Sequence, residues 1–413
     1  MNRTLTALLL AACAITTSSL AWAQDTTLDG CWYRWGAKSY GAAAKQNEWD
    51  APAACTVYFA SSQATINCKA RTETRVAEAS LRPASAGNLE LTTTHITKDG
   101  KVLKVPNVSV AMRYTIQGDK LFTVASGPDL QAHQLQASQD VVQSSHRRLP
   151  VDKNQCHRIG TGARGLDGVF NLPKPSTVSV NLSDAIRSVN FDLAQALLAS
   201  GGDINCVNCD ASPPLVLAVF LQGETQQDRM SWLLARKADP NVESLEGVFG
   251  PNGGKTGFLR FGNQFARWVG RDDTSLTGRK AIDWFNQFLD AGANVKAVTN
   301  DQSSFLHLYA GEAFNWRQFN PQKVDSSLKA LIARGADINA LDNAGYTPLM
   351  RGLMGGYNGQ RHCPLDQVKQ FLALGADTTV VALDGKKAFD IAVDSAAAGN
   401  QRCNALLPLL KPQ

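Results

Sequence analysis

No His-Glu-x-x-His and no Gly-x-Ser-x-Gly occurs in the 413 residues, so the signatures of the commonest metal-dependent and serine hydrolases are missing. A second Cys-x-x-Cys is missing too. Cys206-Val-Asn-Cys209 stands alone, and a lone pair cannot complete a four-ligand zinc site. Residues 249–261, FGPNGGKTGFLRF, lack the glycine that a phosphate-gripping loop places five positions before its Gly-Lys pair. Counting back from Gly254 lands on Phe249. These gaps give the expectation of no catalytic residues, no metal, no cofactor and no nucleotide. Strong charge is also lacking: the formal balance is +5, a weak bias toward an acidic partner and no footprint of a nucleic-acid binder.

A run long enough to span a bilayer is absent as well. The apolar stretch from Leu5 to Ala14 is short, follows Met-Asn-Arg, and leads to Ala21-Trp22-Ala23 before Gln24. That is the pattern of a secretory signal, with cleavage expected after Ala23 and a periplasmic destination. Leu10-Ala11-Ala12-Cys13 resembles a bacterial lipoprotein box, so a lipid anchor at Cys13 is the alternative and would be the chain's membrane contact. Beyond the leader, eight cysteines remain, an even number that reads as disulfides in an exported chain. Spacing leaves their connectivity open. The pairing carried forward is Cys31 with Cys156, Cys55 with Cys68 across a hairpin, Cys206 with Cys209 in a tight loop, and Cys363 with Cys403.

What is present falls into two grammars. Residues 24–160 carry short β-rich runs such as Thr56-Val-Tyr-Phe, Ala64-Thr-Ile-Asn-Cys, Leu89-Glu-Leu-Thr-Thr-Thr, Val108-Ser-Val-Ala-Met-Arg-Tyr and Lys120-Leu-Phe-Thr-Val. Lys98-Asp-Gly-Lys and Gln117-Gly-Asp-Lys supply hairpin turns. The opening Leu28-Asp-Gly-Cys-Trp-Tyr-Arg distantly resembles the Gly-x-Trp start of lipocalin-type barrels, with Trp32 as a plug. A small antiparallel barrel or sandwich is expected. Residues 161–179 form a linker, and His146-Arg147-Arg148 before it reads as solvated surface.

Residues 180–413 turn helical and repetitive. Residues 331–349, LIARGADINALDNAGYTPL, resemble the ankyrin repeat almost letter for letter, and weaker copies begin near Leu197, Leu233, Phe288 and Phe371. Local chemistry agrees: Gly335 suits a left-handed helix end, Asn339 and Asp342 can bond hairpin backbone, Thr347 caps the next helix and Pro348 takes its first turn. In the same frame Gly254 becomes a hairpin exit and Thr256 a helix cap. The resemblance implies α+β multidomain architecture: a β-rich N-terminal barrel or sandwich followed by an α-solenoid of ankyrin repeats with insertions. His307 falls at the family's structural histidine.

The turn position recurs at Asp203, Asp239, Asn294, Asp337 and Asp377, in steps of 36, 55, 43 and 40 against the family's 33. The surplus lies in insertions carrying aromatics with arginine, the usual anchors of protein interfaces. Phe249, Arg260, Phe261, Phe265, Arg267, Trp268, Arg271, Phe314, Trp316, Arg317, Tyr357 and Arg361 are therefore the candidate partner-binding residues, the competing reading being that the aromatics pack on the helices. The resemblance implies a non-enzymatic protein-binding module. Its domain arrangement is similar to that of exported immunity proteins that block a secreted toxin or phospholipase. The alternative function is small-ligand binding by the barrel, with the repeats as a docking handle.

Overall fold

The computed structural model describes residues 27–40, 54–69, 74–85, 87–103, 108–126, 141–160, 174–210, 212–221, 228–245, 253–270, 276–315, 320–355 and 363–411. The leader and Cys13 lie outside them.

Nine antiparallel strands come first: β1 (Gly30–Tyr40), β2 (Ala54–Ala60), β3 (Gln63–Lys69), β4 (Thr74–Ser85), β5 (Asn88–Lys98), β6 (Lys101–Leu103), β7 (Val108–Gln117), β8 (Lys120–Ser126) and β9 (Val141–Leu149). They hydrogen-bond in the order β4-β3-β2-β1-β9-β8-β7-β5-β6, and β4 also pairs with β5. That last pairing closes a barrel and leaves β6 as a short flap, so no long edge is exposed. Hairpin chemistry sets the register. Asp99 and Gly100 both take positive φ between Lys98 and Lys101, and Gly118 does so between Gln117 and Lys120.

Alternation sends Trp32, Val57, Phe59, Ala64, Leu89, Met112 and Leu121 into one apolar cluster inside the barrel. Trp32 is fully buried, its indole N–H donates to the Leu28 carbonyl at 2.8 Å, and the Arg148 guanidinium lies 4.3 Å from its ring centroid. Outside the barrel, α1 (Lys153–Gly160) packs on β1 to β3 through Cys156 and Ile159. Gly160 is required there, because a Cβ would come within 2.6 Å of the Asn67 carbonyl oxygen.

The rest is helical: α2 (Thr177–Arg187), α3 (Phe191–Ala199), α4 (Pro214–Leu221), α5 (Arg229–Leu234), α6 (Gly257–Val269), α7 (Leu276–Asp290), α8 (Phe305–Ala313), α9 (Asp325–Ala333), α10 (Pro348–Met354), α11 (Leu365–Ala373), α12 (Ala388–Ala397) and α13 (Leu407–Leu410). Oxygen-bearing residues start them where the sequence places caps. Thr256 accepts from the Leu259 N–H at 3.1 Å and Thr347 from the Met350 N–H at 3.3 Å. A single apolar core runs from Leu182 to Leu410.

The expected fold class needs correcting. Of the barrel or sandwich expected for the β-rich part, the structure has the closed barrel; the correction concerns the second part, a set of helices but not the anticipated solenoid of ankyrin repeats. A solenoid is quasi-one-dimensional, each unit touching only its neighbours. Here the helices range from 4 to 15 residues, and among the described residues the connecting loops form only isolated bridges, Glu243 with Thr256 and Val298 with Ser304. Three of those loops are bonded sideways to the barrel wall, through Glu243, Asn300 and Asn343. The repeat-like sequence governs local turns and caps, while long-range docking decides the architecture.

Candidate functional site

Strands β8 and β9 present Lys120, Ser145 and Arg147 to the helical region. Lys120 Nζ bonds the Glu243 carboxylate and donates to the Val298 carbonyl at 2.8 Å. Arg147 holds three partners: Asp119 at 2.7 Å, the other Glu243 oxygen at 2.7 Å and Asn300 Oδ1 at 3.0 Å. Asn343 Nδ2 reaches Ser145 Oγ at 3.4 Å. Burial acts to raise the Glu243 carboxyl, but Lys120 and Arg147 outweigh it and hold the group below its ordinary value. Asp119, with burial as its largest influence, is raised. Two cations facing Glu243 therefore keep it ionised in a nearly dry seam. Gly254 completes the contact: its φ is +71°, and a Cβ would meet Asn300 Oδ1 at 2.5 Å and Lys120 Cε at 2.9 Å. The Gly-Gly-Lys-Thr stretch is thus a loop exit and helix cap pressed against a β-sheet.

The gripping positions are periodic. Four residues after each turn position stand Val207, Glu243, Val298, Leu341 and Val381. Glu243 and the Val298 backbone meet Lys120, whereas Leu341 and Val381 are 41% and 53% exposed. Beside them a cleft of about 130 Å³ opens between barrel and loops, lined by Arg113, Phe122, Gln143, Leu341, Asn343 and Leu383 among others. The exposed apolar positions thus share the loop position through which Glu243 and Val298 meet the barrel.

Of the residues nominated from sequence, Phe249, Arg271, Trp316, Arg317, Tyr357 and Arg361 lie outside the described residues. Phe261, Phe265, Trp268 and Phe314 do not form a surface: each is at most 2% exposed. Phe265 stacks on Phe285 at 5.0 Å, Trp268 meets Trp284 edge-on at 5.5 Å, and Phe314 meets Phe371 edge-on at 5.4 Å. Their nomination as partner contacts is corrected: Phe261, Phe265 and Trp268 lie on the apolar face of α6 and Phe314 at the C-terminal end of α8, and both pack inward like any core helix. Arg267 is paired with Glu312 at 3.0 Å. Arg260 lies over the ring of Phe220 at 5.1 Å, with Phe220 56% exposed and the Arg260 Nε buried without an acceptor.

The structure joins the cysteines as Cys31–Cys156, Cys55–Cys68, Cys206–Cys209 and Cys363–Cys403. His307 forms a reciprocal cap with Ser304 and donates from Nε2 to the Tyr346 carbonyl at 3.0 Å. His146 and Arg147, expected on solvated surface, are each 5% exposed, one facing the barrel interior and one the seam. Sequence reasoning missed Lys120, Arg147, Glu243, Asn300, Phe220, Leu341 and Val381. The signal that would have found the last two is the period itself, read four residues past each turn position.

No protein-family model and no curated protein matches the chain. Among solved structures it is similar to a chain of the complex between a predatory endopeptidase of Bdellovibrio bacteriovorus and its immunity protein. The identity is 18%, over 56% of this chain and 99% of that one, with a TM-score of 0.38. It is similar to an ankyrin repeat domain from Acinetobacter baumannii at the same identity and TM-score, over 56% of this chain and 97% of that one. Likeness at this level leaves function to be argued from the chain's own residues.

Proposed function

We propose that the chain is a non-catalytic protein-binding module that works outside the cytoplasm and grips its partner with the exposed loop tips of the helical region. The observation carrying this is the periodic position itself: Glu243 and Val298 bind a β-sheet face, and Leu341 and Val381 at the same position offer apolar side chains that are 41% and 53% exposed. Four disulfides fit an oxidising compartment, and the periplasm is the proposed one. The first partner class to test is a secreted toxin or phospholipase held inactive by this chain. Small-ligand carriage is the weaker reading, because Trp32, Phe59, Met112 and Leu121 pack across the barrel interior.

A photo-crosslinking residue at position 341 or 381, introduced in the native cell, is expected to yield one discrete adduct with another protein. The same residue at Val102, 66% exposed on the barrel, serves as control. Adducts from the tips no more discrete than those from position 102 would remove the proposal. Inhibition of a toxin or lipase recovered in the adduct is the functional arm.

A further inference from the structure

Helix α4 reads Pro-Leu-Val-Leu-Ala-Val-Phe-Leu. Its Phe220 is among the most exposed large apolar side chains in the described residues, at 56%. Helix α6 passes beside it and lays Arg260 over that ring, the guanidinium carbon 5.1 Å from the centroid. Other arginines of the helical region have acidic or carbonyl acceptors: Arg267 has Glu312, Arg351 has Asp342, and Arg229 has the Ile186 and Arg187 carbonyls. Among the described residues Arg260 has none, and its Nε is buried without an acceptor.

A half-buried guanidinium stacked on an aromatic face is held in one orientation, so little further freedom is lost when it takes up a carboxylate through its planar fork. Its Nε is shut off from solvent, so an incoming carboxylate would meet the outer two nitrogens of the half-buried side chain. We infer that Arg260 and Phe220 form an acid-recognition subsite, taking an Asp or Glu side chain of the partner while the Phe220 ring packs against the apolar stem of the same residue. This rests on the reading of the chain as a partner-binding module and adds the partner's chemistry: an acidic side chain presented at the α4–α6 face.

The probe is N-acetylglutamate methylamide, with N-acetylglutamine methylamide as the neutral control at equal ionic strength. The readout is the Arg260 side-chain Nε–H resonance in the folded full chain, assigned by its loss in Arg260→Gln. The glutamate compound is expected to move this resonance at least threefold more than the glutamine compound, and Phe220→Ala is expected to reduce the response at least threefold. Phe220 is largely exposed, so its truncation leaves the core in place; Arg260→Lys, which keeps the charge and loses the fork, is expected to bind at least threefold more weakly by chemical-shift changes in neighbouring backbone amides. Equal movement with both compounds, no movement with either, or indifference to Phe220→Ala overturns the subsite. Those outcomes leave the partner-binding reading standing, because it is tested separately by crosslinking at positions 341 and 381.

Discussion

His146 shows how far a single residue's surroundings can depart from its sequence context. It sits between two positions of β9 that face the seam, yet its own ring turns into the barrel opposite Arg34 and contacts the Leu121 carbonyl at 3.4 Å. Burial, and then the Arg34 charge, lower its pKa to about 3 from 6.5. The folded chain therefore stays neutral there while the unfolded chain takes up a proton below pH ~6.5. Stability from this group is unaffected above that pH and falls as the pH drops from about 6.5 toward 3. At pH 5 the loss is about 2 kcal/mol. His307, also lowered by burial, adds a loss of the same sign. Denaturant midpoints at pH 7 and pH 5 check this: His146→Gln should lose less stability on acidification than the unsubstituted chain, and an equal loss in both would refute it.

At the scale of elements, caps and turns were legible because they are set by neighbours in sequence. Thr256, Thr347 and the turn glycines all follow from residue types within four positions. Strands β4, β6 and β9 were not picked out, and for β9 the reason is physical. β9 reads Val-Val-Gln-Ser-Ser-His-Arg-Arg-Leu, with Gln143, Ser145 and Arg147 serving the seam and Ser144 and His146 on the opposite face, so no apolar alternation marks it. The aromatics of α6 were legible as important but not as buried, since an amphipathic face looks the same whether it meets a core or a partner. His307 ties element to element, accepting from the Ser304 N–H at 3.1 Å and donating to Tyr346 in the next loop. His307→Ala orphans both groups in a buried setting and is expected to cost about 2–4 kcal/mol in equilibrium unfolding. Amide exchange should quicken in residues 342–346 as well as at the start of α8; a cost under about 0.5 kcal/mol would mean the ring fills space only.

The whole molecule depends on contacts that no local pattern announces. Lys120 and Arg147 are separated from Glu243 by 123 and 96 positions, and each taken alone reads as an ordinary exposed turn or strand residue. Together they convert two folding units into one docked body, because two nearly buried cations share the two oxygens of one carboxylate. Removing that carboxylate is more damaging than removing a surface ion pair: Glu243→Gln keeps the shape but takes the carboxylate partner from Lys120 and leaves Arg147 with the Asp119 carboxylate alone. Glu243 is 25% exposed, which tempers the cost, and about 2–3 kcal/mol is expected. Hydrogen–deuterium exchange should report the loss on both sides of the seam, in β8 and β9 and in residues 241–245 and 298–304, while α11 and α12 stay protected. If faster exchange were confined to the helical side, the barrel would be standing independently of the helices, and the loop tips would have no self-contact for an outside partner to extend.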